Sequence, residues 1–141
     1  MSGPSIVLGI ALMDEDHAVL ECLLTQAASI DDAGLQGLLD RIECETRAHF
    51  QREEDLMRDA ALTVLPCHMI QHELFLGQFR HGYTPLKQGD WKGVRSFLVG
   101  HLPVILSRHI NTADRVAAGM LMTCQTQDLC RSRDQQGCKC Q

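Results

Sequence analysis

Four stretches of this chain repeat their apolar residues at intervals of three and four, and every one of those stripes carries histidine. The second stripe is the longest. Leu35, Leu38/Leu39, Ile42, Thr46, His49/Phe50, Glu53, Leu56/Met57 and Ala60 keep to one helical face over many turns. His49 and Glu53 therefore fall in step with core-facing residues, inside a stretch, ETRAHFQREEDLM, that is otherwise polar. The first stripe reads His17, Leu20, Leu24, Ala27 or Ala28, and the third Leu65, His68, His72, Phe75, Phe79. The fourth reads Leu98, Leu102, Ile105/Leu106, His109, Val116, Met120. Helices with one apolar stripe each must bury those stripes against one another. The pattern predicts an all-α fold, an antiparallel up-down-up-down four-helix bundle with short connections.

The boundaries follow from local chemistry. The first helix is expected near Asp14, whose charge suits a helix N-terminus. Asp31 or Asp32 caps the second, and Thr63 caps the third, with Pro66 tolerated in its first turn. Gly82, Pro85 and Gly89 in HGYTPLKQGD are expected to break the pattern before a fourth helix that follows Asp90. Pro103 lies inside that helix. Losing one backbone bond there costs ~3 kcal/mol, so a kink or a break is expected. Periodicity stops after about Met122. Residues 1–122 are expected to form the bundle, and residues 123–141 a non-helical or weakly ordered cysteine-rich tail.

Charge narrows the partners. The net charge is −5 and Lys/Arg form no block, which argues against nucleic acid; neither a basic amphipathic helix nor a bilayer-length apolar run points to a membrane. The apolar run from Ile6 to Met13 is short and lacks a preceding basic region, so it does not read as a signal peptide. A cytoplasmic setting is expected. There, the 7 cysteines are thiols or ligands rather than a disulfide framework.

A lone histidine on an apolar face is usually a hydrogen-bonded core residue. Five from four helices, namely His17, His49, His68, His72 and His109, would be costly to bury without partners, and a shared metal supplies them. His49 and Glu53 are four apart, as are His68 and His72, so each pair points the same way. Imidazole suits iron, zinc, copper and nickel alike, so ligand type leaves the metal open. His109 and Asp114 are five apart, about 140° out of phase on an α-helix, and helical geometry does not pair them.

The segments LGIALMDEDHAVL, HFQREEDLM, HMIQH and HINTAD, in this order and one per expected helix, resemble the four ligand motifs of the hemerythrins, especially the bacterial single-domain ones. The resemblance runs from about Leu8 to Val116. It implies two non-haem iron ions with a bridging oxo or hydroxo group, and O₂ as a reversibly bound ligand. Carried over motif by motif, His68, His72 and His109 hold one iron and His17 and His49 the other. Glu53 and Asp114 bridge the two, and the two-histidine iron keeps an open position. The function implied is O₂ storage, delivery or sensing. The alternatives are a di-iron oxidase, peroxidase or nitric oxide reductase on the same ligands, or a redox-regulatory protein acting through the cysteine-rich tail.

The remaining reactive residues fall outside those motifs. His81 and His101 are expected to be hydrogen-bonded or partly exposed. Cys22, Cys44 and Cys67 are expected as small buried or boundary residues. Cys124, Cys130, Cys138 and Cys140 cluster at the end, where exposed thiols could bind a redox partner or associate between chains.

Overall fold

The computed structural model describes residues 6–137, with side chains described through residue 125 and at 127. The elements are α1 (Ala11–Gln26), α2 (Asp32–Asp59), α3 (Leu65–Gly77), α4 (Arg80–Lys87) and α5 (Trp91–Ser96), then π1 (Phe97–His101), α6 (Leu102–His109), π2 (Ile110–Asp114) and α7 (Arg115–Gly137). They build the expected antiparallel four-helix bundle. α1 and α2 are its first two legs, α3 with α4 the third, and α5 through α7 the fourth.

The caps explain where the legs start. Asp31 accepts a hydrogen bond from the Gly34 amide at 2.9 Å, and Asp90 accepts one from the Gly93 amide at 3.0 Å. α1 begins earlier than Asp14 and has no side-chain cap. Asp14 instead accepts from the amides of Leu8 and Gly9 and folds the lead-in segment over the first turn. Thr63 does not cap α3; Val64 occupies that position without a side-chain bond, and Pro66 sits in the first turn as expected.

α2 ends in a left-handed residue. Leu62 N–H bonds the Met57 carbonyl at 3.0 Å and Ala61 N–H the Arg58 carbonyl at 2.9 Å, a Schellman closure. Ala61 takes φ 53° there, where glycine is the usual occupant.

The stretch HGYTPLKQGD is helical as far as Lys87, within α4, which follows α3 after tight turns at Gln78 and Phe79. The expected break comes only at residues 88–90, where Gly89 takes φ 70° and Asp90 caps the next helix. Gly82 is buried in α4 for contact, not flexibility: a Cβ there would lie 2.7 Å from the Phe97 ring and 3.1 Å from Leu39. Pro103 produces no break; the helix is instead distorted into π1 just before it. In π1 the Leu102 N–H reaches back five residues to the Phe97 carbonyl, and Pro103 then occupies the first turn of α6, where its missing donor is harmless.

The core has two apolar ends. Leu35, Leu39, Phe79, Val94 and Leu98 pack at one, and Met13, Met57, Leu62, Ala117 and Leu121 at the other. Each fully buried side chain of this size contributes roughly 1.5–3 kcal/mol. Between those ends lies a layer of buried polar groups. α7 continues as helix to Gly137, past the end of the apolar periodicity; among its described side chains the last buried one is Leu121, with Cys124 packed at the core's edge. No helix among the described residues is long and apolar enough to cross a membrane.

Candidate metal centre

The polar layer contains His17, His49, Glu53, His68, His72, His109 and Asp114, and all of them are buried. Every side chain that the sequence put forward as a metal ligand is therefore in one place. α1 supplies His17, α2 supplies His49 and Glu53 one turn apart, and α3 supplies His68 and His72 one turn apart. The fourth leg supplies His109 at the end of α6 and Asp114 at the end of π2.

π2 solves the problem of the five-residue spacing. Its turns close on the fifth residue, as in the bond from Arg115 N–H to the Ile110 carbonyl. A residue and the fifth after it then share a face. His109 Nε2 and Asp114 Oδ1 consequently lie 3.0 Å apart, where a regular α-helix would have turned one away.

The donor atoms divide into two overlapping groups. One comprises Glu53, His68, His72, His109 and Asp114, and the other His17, His49, Glu53 and Asp114; within each, the ligand atoms lie within 4.8 Å of one another. Both carboxylates belong to both groups. Glu53 Oε1 faces His68 Nε2 and His72 Nε2, the latter at 3.1 Å, while Oε2 faces His49 Nε2 at 3.2 Å. Asp114 Oδ1 faces His68 at 3.3 Å and His109 at 3.0 Å, while Oδ2 faces His17 Nε2 at 3.0 Å. Each carboxylate thus turns one oxygen to the three-histidine side and the other to the two-histidine side.

Proximity here is not hydrogen bonding throughout. His49 Nε2, Glu53 Oε2, His109 Nε2 and Asp114 Oδ1 are buried with no aligned hydrogen-bond partner, although their neighbours are about a bond length away. They lie within 4.8 Å of the other donors of their group, close enough to share a cation. Orphaned buried polar atoms are costly, and cations there would satisfy them. The donor set fits a metal pair on this observation.

An outer layer orients the donors. His49 Nδ1 pairs with Asp16 Oδ2 at 3.0 Å, and Asp16 is gripped by both arms of Arg52 at 2.9 Å. His72 Nδ1 pairs with Glu54 Oε2 at 3.1 Å, and its ring stacks on Phe50 with centroids 3.8 Å apart. Such partners fix the tautomer and leave Nε2 free for the centre. Asp16, Arg52 and Glu54 adjoin inward residues in sequence, yet their periodicity places them with the solvated face, so the stripes alone did not single them out.

The electrostatics agree with this arrangement. Burial pushes the Glu53 carboxyl up, but His49, His68 and His72 outweigh it and hold it at about 2. Asp114 is likewise raised by burial but drawn well below the usual carboxylate range by His109, His17 and His68. Burial lowers the His68 imidazole, yet Asp114 and Glu53 raise it to about 9. Both acids are ionised at neutral pH, ready to accept either protons shared with imidazole or metal.

A cleft of about 630 Å³ opens against the centre at His68, between α3 and π2, lined also by Cys67, Gln71, Asn111 and Arg115. Cys22, Cys44 and Cys67 are exposed rather than buried or at a boundary, because each falls on the outer side of its helix. The side chain of Cys130, together with Cys138 and Cys140, lies outside the described residues.

The chain matches the family model for the hemerythrin HHE cation binding domain over residues 8–121, a span that includes every side chain of the polar layer. No curated protein and no solved structure matches the chain significantly.

Proposed function

The chain belongs to the hemerythrin family, and from that premise we propose that it binds O₂ reversibly at a non-haem di-iron centre, for storage, delivery or sensing. His68, His72 and His109 would hold one iron, His17 and His49 the other, with Glu53 and Asp114 shared between them. The observation that carries this assignment is the split of each carboxylate between the two histidine groups. When bound, the iron pair supplies the electrons and the open coordination position that O₂ requires, on the side with fewer donors.

The chain's own residues do the rest. Asp16 and Glu54 hold His49 and His72 in the tautomer that offers Nε2 inward. Met13, Leu20, Ile42 and Phe50, all nearly inaccessible, exclude bulk water and larger molecules from the layer. Five imidazoles and only two carboxylates would stabilise oxidised iron less than a carboxylate-rich set does, which favours release of O₂ over its reduction. Residues 1–122 contain all seven of these donors, and none of them lies in 123–141. The setting is cytoplasmic.

Anaerobic reconstitution with ferrous iron, followed by air exposure, tests this. Two irons per chain and a visible absorption band that vanishes on degassing are the expected result. Iron that oxidises irreversibly in air, with O₂ consumed, would overturn reversible binding. The cleft against His68 favours a second reading, a di-iron oxidase, peroxidase or nitric oxide reductase, because it gives a second molecule a place beside the centre. Sustained turnover of a reductant with O₂, peroxide or nitric oxide would support that reading instead.

A further inference from the structure

The centre uses five of the 7 histidines. The other two, His81 and His101, are far apart in sequence and sit on different legs of the bundle, yet their rings meet. Their centroids are 5.3 Å apart with planes at 63°. Both side chains are exposed, so the contact is open to solvent on one side. We propose that His81 and His101 form a second metal site, a two-imidazole surface chelate for a late first-row divalent cation of the Cu²⁺, Ni²⁺ or Zn²⁺ type.

The spacing is the first support. A late transition metal sits about 2.0–2.1 Å from an imidazole nitrogen, hence roughly 3.2 Å from the ring centre, so two rings at a tetrahedral angle have centres about 5.2 Å apart. The observed 5.3 Å meets this, and it equals the separation of His72 and His109 inside the buried centre. The other histidine pairs of that centre span 4.4 to 5.7 Å.

The second support is orientation. His101 Nε2–H donates to the side-chain carbonyl of Gln78 at 3.1 Å. That bond places the proton on Nε2 and leaves the Nδ1 lone pair free, the role an outer partner plays at a metal-binding histidine. His101 is further set by the Phe97 ring, 5.6 Å away. Water completes the coordination on the exposed side, and the net charge of −5 favours a cation. The site joins α4 to π1 and lies apart from the buried donors.

Copper provides the most sensitive probe, because Cu²⁺ binds nitrogen sites more tightly than its neighbours in the series. Full-length, iron-loaded protein is treated with iodoacetamide to block its thiols, then titrated with Cu²⁺ and followed by electron paramagnetic resonance. One equivalent of Cu²⁺ with coupling to two imidazole nitrogens is expected, with the iron content unchanged. His81→Gln and His101→Gln should each weaken that binding at least tenfold and leave iron content and helicity as in the parent. Gln78→Ala should weaken it less. Failure to bind an added equivalent, coupling to a single nitrogen, or full affinity in either histidine variant would overturn the site. None of these outcomes depends on whether the buried irons bind O₂.

Discussion

Removing Thr112 should spare the metal centre, although it lies between two of the donors. His109 and Asp114 are five residues apart and share a face only because π2 closes its turns on the fifth residue. In a regular α-helix that spacing would leave them about 140° out of phase; a spacing of four leaves about 40°. Deleting one residue of π2 lets the segment relax to an α-helix while His109 and Asp114 keep a common face. Thr112 is the residue to remove because its side chain is exposed and bonds the Arg108 carbonyl one turn back. The deletion should change iron affinity by less than about tenfold. Asp114→Ala leaves the spacing intact but removes a shared carboxylate, and should exceed the roughly 100-fold that marks the upper range for outer-layer losses. Iron counted per chain after dialysis against graded chelator separates the two. If the deletion strips iron as completely as Asp114→Ala, the π turn is not what brings these donors together.

Asp16→Ala and Glu54→Ala should each weaken iron retention about 10- to 100-fold by freeing His49 and His72, with little change in helicity; retention equal to the parent in chelator competition would remove the orienting role. Ala61→Gly should stabilise the fold by about 1 kcal/mol, since Ala61 holds a left-handed conformation that costs a Cβ roughly that much; an unchanged or lower urea midpoint would count against it. The metal-free chain should be most stable in mildly acidic solution. Burial lowers His68 but Asp114 and Glu53 raise it from 6.5 to about 9, so its contribution is complete below 6.5 and is lost as pH rises through 9. Glu53, raised by burial but held down from 4.5 to about 2 by its histidines, contributes above 4.5 and loses that contribution as pH falls toward 2. Urea midpoints that climb between pH 7 and 9 would contradict this.

The bundle and six of the seven side chains of the polar layer were legible because burial writes itself into period. A histidine at His17 or His72 that keeps step with leucines has to face what they face. Asp114 was legible only through resemblance, because a π turn leaves no mark in apolar spacing; the side chains around it alternate as any helix end does. Asp16 and Glu54 escaped for a related reason. They stand beside inward residues, on the flank of the helix, where an acid is ordinarily solvated, and only the approach of a neighbouring helix turns them toward an imidazole. α4 was concealed by Gly82 and Pro85, which usually punctuate. Here Gly82 makes room for Phe97, a contact between distant residues that local propensity does not encode. The meeting of His81 and His101 belongs to the same class, since it depends on how two legs align.

Glu53 and Asp114 each face both histidine groups, so in the proposed two-cation centre the halves would not fill independently. A first cation would immobilise both carboxylates and leave their other oxygens already aimed at the partner position. A second cation then meets donors whose freedom is already lost, and it binds more readily than the first. Limiting iron should accordingly sort the population into fully loaded and empty chains, with half-loaded molecules scarce.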